Sequence, residues 1–176
     1  MLLQIRYYGD KVLRARCEPV EEITQEIRDL VSNMIETMDV GKGIGLAAPQ
    51  VGYPIRLFVL RNYIETQEGD LAFSEPLVYI NPKLSNPSQK KVLDTEGCLS
   101  IPGIRGEVER PLKITIEAMD LEGRIFVEEL EGYNARVRLH ELDHLNGVLF
   151  IDRMALRPRK KIEPFLKELE KKHQSS

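Results

Sequence analysis

The segment RVRLHELDHLN at residues 136–146 is the most informative part of this 176-residue chain for its fold. Its apolar residues recur at helical spacing, and HELDH places His140 and His144 one turn apart on the same helix face. Two imidazoles at this spacing can bind one metal ion. Glu141, beside the first of them, can then take a proton from a water molecule that the metal activates. The segment therefore predicts a buried, metal-binding helix, called the HELDH helix below.

HExxH matches also arise by chance, so the motif supports a metal site only if a third residue can act as a ligand. Three residues could supply it. Glu163 lies downstream, as the third ligand does in zincin metalloproteases, and His173 lies close to a polar C-terminus. Cys98 would give a Cys/His/His set with an open fourth position. A thiolate with two imidazoles suits iron(II), zinc, nickel or cobalt, and the ligand types do not choose among them.

Apolar residues spaced three and four apart predict the helices. The first covers residues 20–38 and leads into a Gly-rich turn, GKGIGLAAPQVG at 41–52. The HELDH helix covers residues 134–146, with Asn134 as N-cap and Gly147 as C-cap. The last helix covers residues 158–172, and the apolar face that we expect it to bury consists of Ile162, Phe165, Leu166 and Leu169.

Between these helices lie apolar runs of strand length. The predicted strands cover residues 55–60, 77–84, 113–119 and 124–130. Residues 85–111 are rich in Pro, Gly and Ser and are predicted to be a loop that carries Cys98. This order predicts an α+β fold, a mostly antiparallel sheet packed around the HELDH helix. We expect one domain over residues 1–176, with 158–176 as its C-terminal helix and tail.

Composition narrows the functional classes. The net charge of −3, with 42% hydrophobic and 30% charged residues, is ordinary for a globular enzyme and argues for neither a membrane nor a specific DNA partner. The N-terminal residues lack the apolar run of a signal peptide, so we expect a cytoplasmic protein. We interpret Cys17 as a small buried apolar residue.

Three motifs in this order resemble those of the peptide deformylases: GIGLAAPQ at 43–50, EGCLS at 96–100 and HELDH at 140–144. The flanking IPGIRG at 101–106 and the C-terminal helix resemble the bacterial and organellar type. One departure is Leu139, which stands before the first histidine where the family most often has Gln. That position is neither a ligand nor a catalytic residue, so the departure concerns local packing.

The resemblance implies a metal-dependent hydrolase that removes the formyl group from the N-terminal formyl-methionine of nascent polypeptides and releases formate. It implies Cys98, His140 and His144 as metal ligands. The implied cofactor is Fe²⁺, which Zn²⁺, Ni²⁺ or Co²⁺ can replace. Glu141 is implied as the general acid/base, and two donors, the Gln50 amide and the Leu99 backbone N–H, are implied to bind the formyl oxygen.

The resemblance extends to residues around the substrate. Those expected to contact its main chain are Gly43, Ile44 and Gly45. Those that either form the wall of the methionine pocket or only pack the helix are Tyr133, Arg136 and Val137. Glu96 and Asp143 are candidate partners of the ligands, or simply polar side chains nearby.

Three alternatives stay open. The C-terminal cations, from Arg157 to Lys172, are best interpreted as a solvated helix face, and a weak contact with the ribosome is the second hypothesis. The chain could also be a zincin-like endoprotease that uses Glu163, but this leaves EGCLS and GIGLAAPQ unexplained. A binding module with a structural metal would need a fourth Cys or His ligand, and outside the tail the sequence offers only Cys17, which we interpret as a buried apolar residue.

Overall fold

The strands form three antiparallel sheets in the computed structural model, which describes residues 1–174. In chain order they are β1 (Gly45–Ala47), β2 (Leu57–Leu60), β3 (Tyr63–Glu65), β4 (Leu71–Phe73), β5 (Leu77–Ser85), β6 (Lys91–Cys98), β7 (Ile101–Pro111), β8 (Lys113–Met119) and β9 (Ile125–Glu131). The largest sheet has the order β1-β2-β5-β8-β9. The pairs β3–β4 and β6–β7 form separate two-stranded sheets. The fold is therefore α+β with antiparallel sheets, as the sequence predicts.

Three α-helices accompany the sheets: α1 (Gln25–Val40), α2 (Tyr133–Leu145) and α3 (Leu156–His173). Helix α1 begins later than the predicted residue 20, because Thr24 is its N-cap and accepts a hydrogen bond from the Ile27 N–H at 3.2 Å. Val20 is buried in an extended segment, where its N–H and C=O pair with the Asn81 side chain, each at 2.8 Å. None of the helices over residues 1–174 has the length and apolar character needed to cross a bilayer.

Helix α2 is the HELDH helix, and it packs against β1, β2 and β9 with most of its side chains buried. The predicted caps are wrong by one or two residues: Gly132, with φ 71°, is the N-cap, and Asn146 is the C-cap. Asn134 instead accepts from the Tyr63 N–H at 2.9 Å and donates to the Tyr63 carbonyl at 3.1 Å. These bonds fix the start of α2 against β3.

The predicted loop over residues 85–111 is wrong, because most of it is the β6–β7 hairpin. A two-stranded ribbon buries few apolar side chains, so its sequence lacks a clear alternation of apolar and polar residues. Two that it does bury, Ile101 and Val108, pack with Phe150 and Leu166. The register shifts between Gly97 and Cys98, so Cys98 ends β6 at an irregular point of the hairpin.

Three further differences concern short or amphipathic segments. Part of the predicted Gly-rich turn forms β1 and a 3₁₀ helix, Ala48–Val51. On α3, Leu166 is buried as predicted, but Phe165 is 61% exposed. The two residues are neighbours and point about 100° apart on a helix, so only one of them faces the hairpin. The hairpin β3–β4 was absent from the sequence prediction.

Candidate metal centre and active site

Cys98, His140 and His144 meet where the end of β6 lies beside α2. Their candidate ligand atoms all lie within 4.8 Å of one another. The Cys98 Sγ is 3.5 Å from Nε2 of His144. Among residues 1–174, no other group of His, Cys, Asp or Glu meets this description. Glu163, the zincin-like alternative, pairs instead with Arg159 on α3.

Both histidines have environments that suit a metal ligand. Burial lowers the pKa of His144 well below its usual value, so the ring is neutral, the form in which imidazole binds metals. Nδ1 of His140 lies 2.8 Å from Oε1 of Glu96, which leaves Nε2 as the ring nitrogen free to bind. Burial alone would lower the pKa of His140, but Cys98 and Glu96 raise it well above the usual value. A bound cation would take the place of that proton.

The donor set therefore fits a metal ion. One thiolate and two imidazoles are the composition of a catalytic site with three protein ligands and an open fourth position. Over the described part of the chain, Nδ1 of His144 has no hydrogen-bond partner.

Glu141 lies beside this group and is almost completely buried. Burial, together with the charges of Glu96 and Asp143, raises its pKa to about 7 against the opposing effect of His140. Its Oε1 has no hydrogen-bond partner among the described residues, so it is available to a molecule in the site. A Cβ at Gly45 would lie 2.6 Å from Oε2 of Glu141, so the carboxylate occupies the space that any side chain at this position would need.

Gln50 is buried, and its amide is held in one orientation. Oε1 accepts a hydrogen bond from the Ala47 N–H at 2.9 Å. Nε2 donates to the Ser100 hydroxyl at 3.1 Å and lies 3.4 Å from the Cys98 Sγ. The amide NH₂ group thus faces the ligand cluster. Ser100 was not singled out from the sequence, although it stands two residues after Cys98 within EGCLS.

Glu96 and Asp143 belong to a buried network of charges. Glu96 accepts two hydrogen bonds from Arg110, each at 2.9 Å, and one from Arg136 at 2.7 Å. Burial alone would raise its pKa, but the bonds from Arg110 and His140 hold it well below the usual value. Arg110 also donates to Asp143 at 2.6 Å. Arg110 cannot be recognised from the sequence, because nothing in its local sequence shows that this position is buried.

A cavity of about 650 Å³ opens onto these groups. The substrate residues predicted from the sequence all line it: Gly43, Ile44, Gly45, Tyr133, Arg136 and Val137. Tyr63 and Phe73 from the β3–β4 hairpin line it too, and the Tyr63 ring lies 4.6 Å from Tyr133 and 4.9 Å from Phe73, centroid to centroid. These aromatic residues were also missed, because β3 and β4 are only three residues long.

Comparisons with known proteins agree on one family. The sequence profile described as polypeptide deformylase matches residues 2–160. The peptide deformylase of Chlorobium phaeobacteroides is 46% identical over 169 residues, which cover 96% of this chain and 88% of that protein.

Solved structures give the same result. Peptide deformylase from Thermus thermophilus superimposes with a TM-score of 0.86 at 42% identity, covering 98% of this chain and 99% of that one. The enzyme from Thermotoga maritima gives a TM-score of 0.79 at 41% identity, covering 88% and 99% respectively.

Proposed function

Because the chain belongs to the polypeptide deformylase family, we propose that Cys98, His140 and His144 hold its catalytic metal and that Glu141 carries the protons. The protein is a metal-dependent hydrolase that removes the N-formyl group from nascent polypeptides, releasing formate. The observation that carries the ligand assignment is the convergence of three ligand atoms within 4.8 Å. The function is tested by comparing a short formyl-methionyl peptide with its unformylated counterpart and with an internal amide. Release of formate from the first alone is expected.

The resident metal is proposed to be Fe²⁺. The thiolate of Cys98 and the two imidazoles would bind it, and the same donors suit Zn²⁺, Ni²⁺ or Co²⁺. Metal analysis of protein purified without oxygen tests the choice. Stoichiometric iron is expected, and stoichiometric zinc in its place would contradict it.

Glu141 is proposed to move protons in both halves of the reaction. A bound metal ion supplies a Lewis acid that can lower the pKa of water to about 7. Glu141 would lie close to a metal ion held by Cys98, His140 and His144, and that positive charge would favour its carboxylate form against the effect of burial on its pKa. The unpaired Oε1 can accept the proton of the attacking water and then deliver it to the departing amine.

Gln50 and the Leu99 N–H are proposed to stabilise the negative charge that develops on the formyl oxygen. The Gln50 NH₂ group already faces the ligand cluster, and its bonds to Ala47 and Ser100 hold it there before substrate arrives. A donor fixed in advance costs little reorganisation during the reaction, and one such donor is typically worth about 3 kcal/mol.

Gln50→Leu is therefore expected to lower kcat by about 10²-fold, because it removes the donor and leaves all three proposed ligands in place. Metal content and KM should change little. Steady-state kinetics with a formyl-methionyl peptide, together with metal analysis, measure this. Ser100→Ala is the control, since it removes one bond that orients the amide but keeps the amide itself, and its loss should be smaller. Unchanged kcat in Gln50→Leu would remove this side chain from the mechanism.

The methionine side chain is proposed to occupy the 650 Å³ cavity, with Tyr133 and Val137 on its apolar wall. The guanidinium of Arg136 also borders the cavity, but it is bonded to Glu96 and to the Val108 carbonyl and so is not free to pair with substrate. The main chain of residues 43–45 lies on the same cavity and can contact the substrate backbone.

A weak ribosome contact through the basic residues of α3 is the proposed partner interaction. Exposed cations on this helix include Arg157, Lys160 and Lys161, whereas Arg159 is partly buried and pairs with Glu163. Clustered exposed cations suit phosphate contacts, and these weaken as salt rises.

A triple variant with Ala in place of Arg157, Lys160 and Lys161 tests this contact. Its co-sedimentation with ribosomes at low salt is expected to fall several-fold, while its turnover of a free formyl peptide stays the same. The matched control replaces three exposed lysines elsewhere, Lys83, Lys90 and Lys91. If both triple variants co-sediment equally, the ribosome contact through α3 is wrong, and its cations only form a solvated helix face.

A further inference from the structure

A chain of ion pairs leads from the protein surface to the candidate metal site. It begins at Arg153, whose side chain is 47% exposed, and continues through Asp143, which is 11% exposed. Arg153 grips both carboxylate oxygens, with Nε to Oδ2 at 2.7 Å and Nη2 to Oδ1 at 2.9 Å. A bidentate ion pair of this kind, with two hydrogen bonds, fixes the plane of the carboxylate as well as its position.

The chain continues through Arg110, which is only 4% exposed. Its Nη1 donates to Oδ2 of Asp143 at 2.6 Å, the same oxygen that accepts from Nε of Arg153. Its Nε and Nη2 donate to the two oxygens of Glu96, each at 2.9 Å. Because the guanidinium is planar and rigid, a shift at its Asp143 end is transmitted to its Glu96 end.

The last link is to a proposed ligand. Oε1 of Glu96 lies 2.8 Å from Nδ1 of His140 and fixes which ring nitrogen is left to bind metal. Asp143 is also the residue directly before His144 on α2, so its orientation bears on the second imidazole as well. Arg153 itself ends a 3₁₀ turn, Phe150–Arg153, and the Phe150 ring lies 6.2 Å from that of His140.

We infer that Arg153 is a positioning residue for the metal site, acting through Asp143, Arg110 and Glu96 on the ring of His140. It touches neither substrate nor the ligand atoms. Without it, Asp143 keeps a single guanidinium partner and can rotate, and the buried Arg110 then loses its fixed orientation. This inference rests on the proposed assignment of His140 as a ligand.

Arg153→Met tests the inference, because it keeps the apolar stem of the side chain and removes the forked guanidinium group. Substitutions of residues bonded directly to a ligand typically cost about 10–100-fold in metal affinity, and Arg153 is further away, so we expect a loss of about 3- to 10-fold. Affinity is measured for Co²⁺ by competition with a chelator. The visible spectrum of the Co²⁺ protein should shift, and kcat should fall with little change in KM. Arg153→Lys keeps the charge without the fork and should restore only part of the affinity.

Arg14→Met is the matched control. Arg14 is similarly exposed, at 43%, and grips both oxygens of Asp152 in the same 3₁₀ turn. It has no hydrogen bond to Asp143, Arg110 or Glu96, although its charge is felt at His144. It should therefore lose a similar small amount of thermal stability and leave the Co²⁺ affinity and spectrum unchanged.

Three outcomes would overturn the inference: wild-type Co²⁺ affinity in Arg153→Met, an equal loss of affinity in Arg14→Met, or full restoration by Arg153→Lys. The effect of Arg153→Met should also disappear in an Asp143→Asn background, since the two residues act in series. Additive losses of Co²⁺ affinity in the double variant would show that Arg153 does not act through Asp143. If the wild-type protein failed to deformylate, the proposed function would be wrong, but this inference could still be tested. Co²⁺ affinity and the Co²⁺ spectrum are measured without substrate.

Discussion

Glu141→Gln is expected to lose most deformylase activity while keeping near-stoichiometric metal. A general acid/base typically contributes about 10²–10⁴-fold to the rate, and the Gln amide cannot accept the proton of the attacking water. The substitution nearly preserves side-chain shape, which matters because the carboxylate lies in the space above Gly45. Metal content, thermal unfolding and kcat on a formyl-methionyl peptide together measure the effect.

The control for this variant is Glu163→Gln. Glu163 pairs with Arg159 on α3 and lies outside the ligand group, so both metal and activity should be unchanged. Loss of metal from Glu163→Gln would favour the zincin-like site. Loss of metal from Glu141→Gln would instead make Glu141 a ligand, and wild-type kcat would exclude it as the proton carrier.

Cys98→Ala is expected to lose both metal and activity. Two imidazoles would remain, and the loss of a direct ligand should exceed the roughly 10–100-fold in affinity that loss of a ligand's partner costs. Metal analysis after dialysis, followed by activity with added metal, separates weak binding from failed catalysis. A fully metallated and active variant would overturn the ligand set.

Cys17→Ala is the matched control, because it removes the other thiol of the chain. Cys17 is buried in the core cluster around Phe58 and Leu145, and burial raises the pKa of its thiol to about 11. It therefore stays a neutral apolar side chain. A small loss of stability is expected, with metal content and kcat unchanged.

The sequence predicted best what depends on local spacing. His140, Glu141 and His144 lie within five residues of one helix, so their geometry follows once α2 forms. Spacing alone did not choose Cys98 over Glu163, because the proposed third ligand lies on a strand 42 residues earlier than His140. The resemblance to a family supplied that choice, and the structure brings Cys98 to the two histidines.

What the sequence could not predict depends on distant partners. Arg110 stands in the segment predicted to be a loop, and nothing in the sequence indicates that Glu96 and Asp143 lie beside it. Phe165 was expected to be buried because its spacing puts it on one helix face with Ile162 and Leu169, but Leu166 faces the hairpin and Phe165 is exposed. Asn134 was expected to cap α2, but it bonds to a strand far away in sequence. In each case a tertiary contact replaced a local preference.

The close approach of Gly45 to Glu141 also bears on how resistance to an inhibitor could arise. Any side chain at Gly45 would displace the carboxylate, since its Cβ would lie 2.6 Å from Oε2. Because Glu141 is the proposed proton carrier, a mutation there that excludes an inhibitor is expected to impair the enzyme as well. Phe73 borders the same cavity but is exposed on the β3–β4 hairpin, where a substitution displaces no catalytic group. Fewer resistance mutations are therefore expected against an inhibitor that contacts the main chain at Gly45 than against one that contacts the Phe73 side chain.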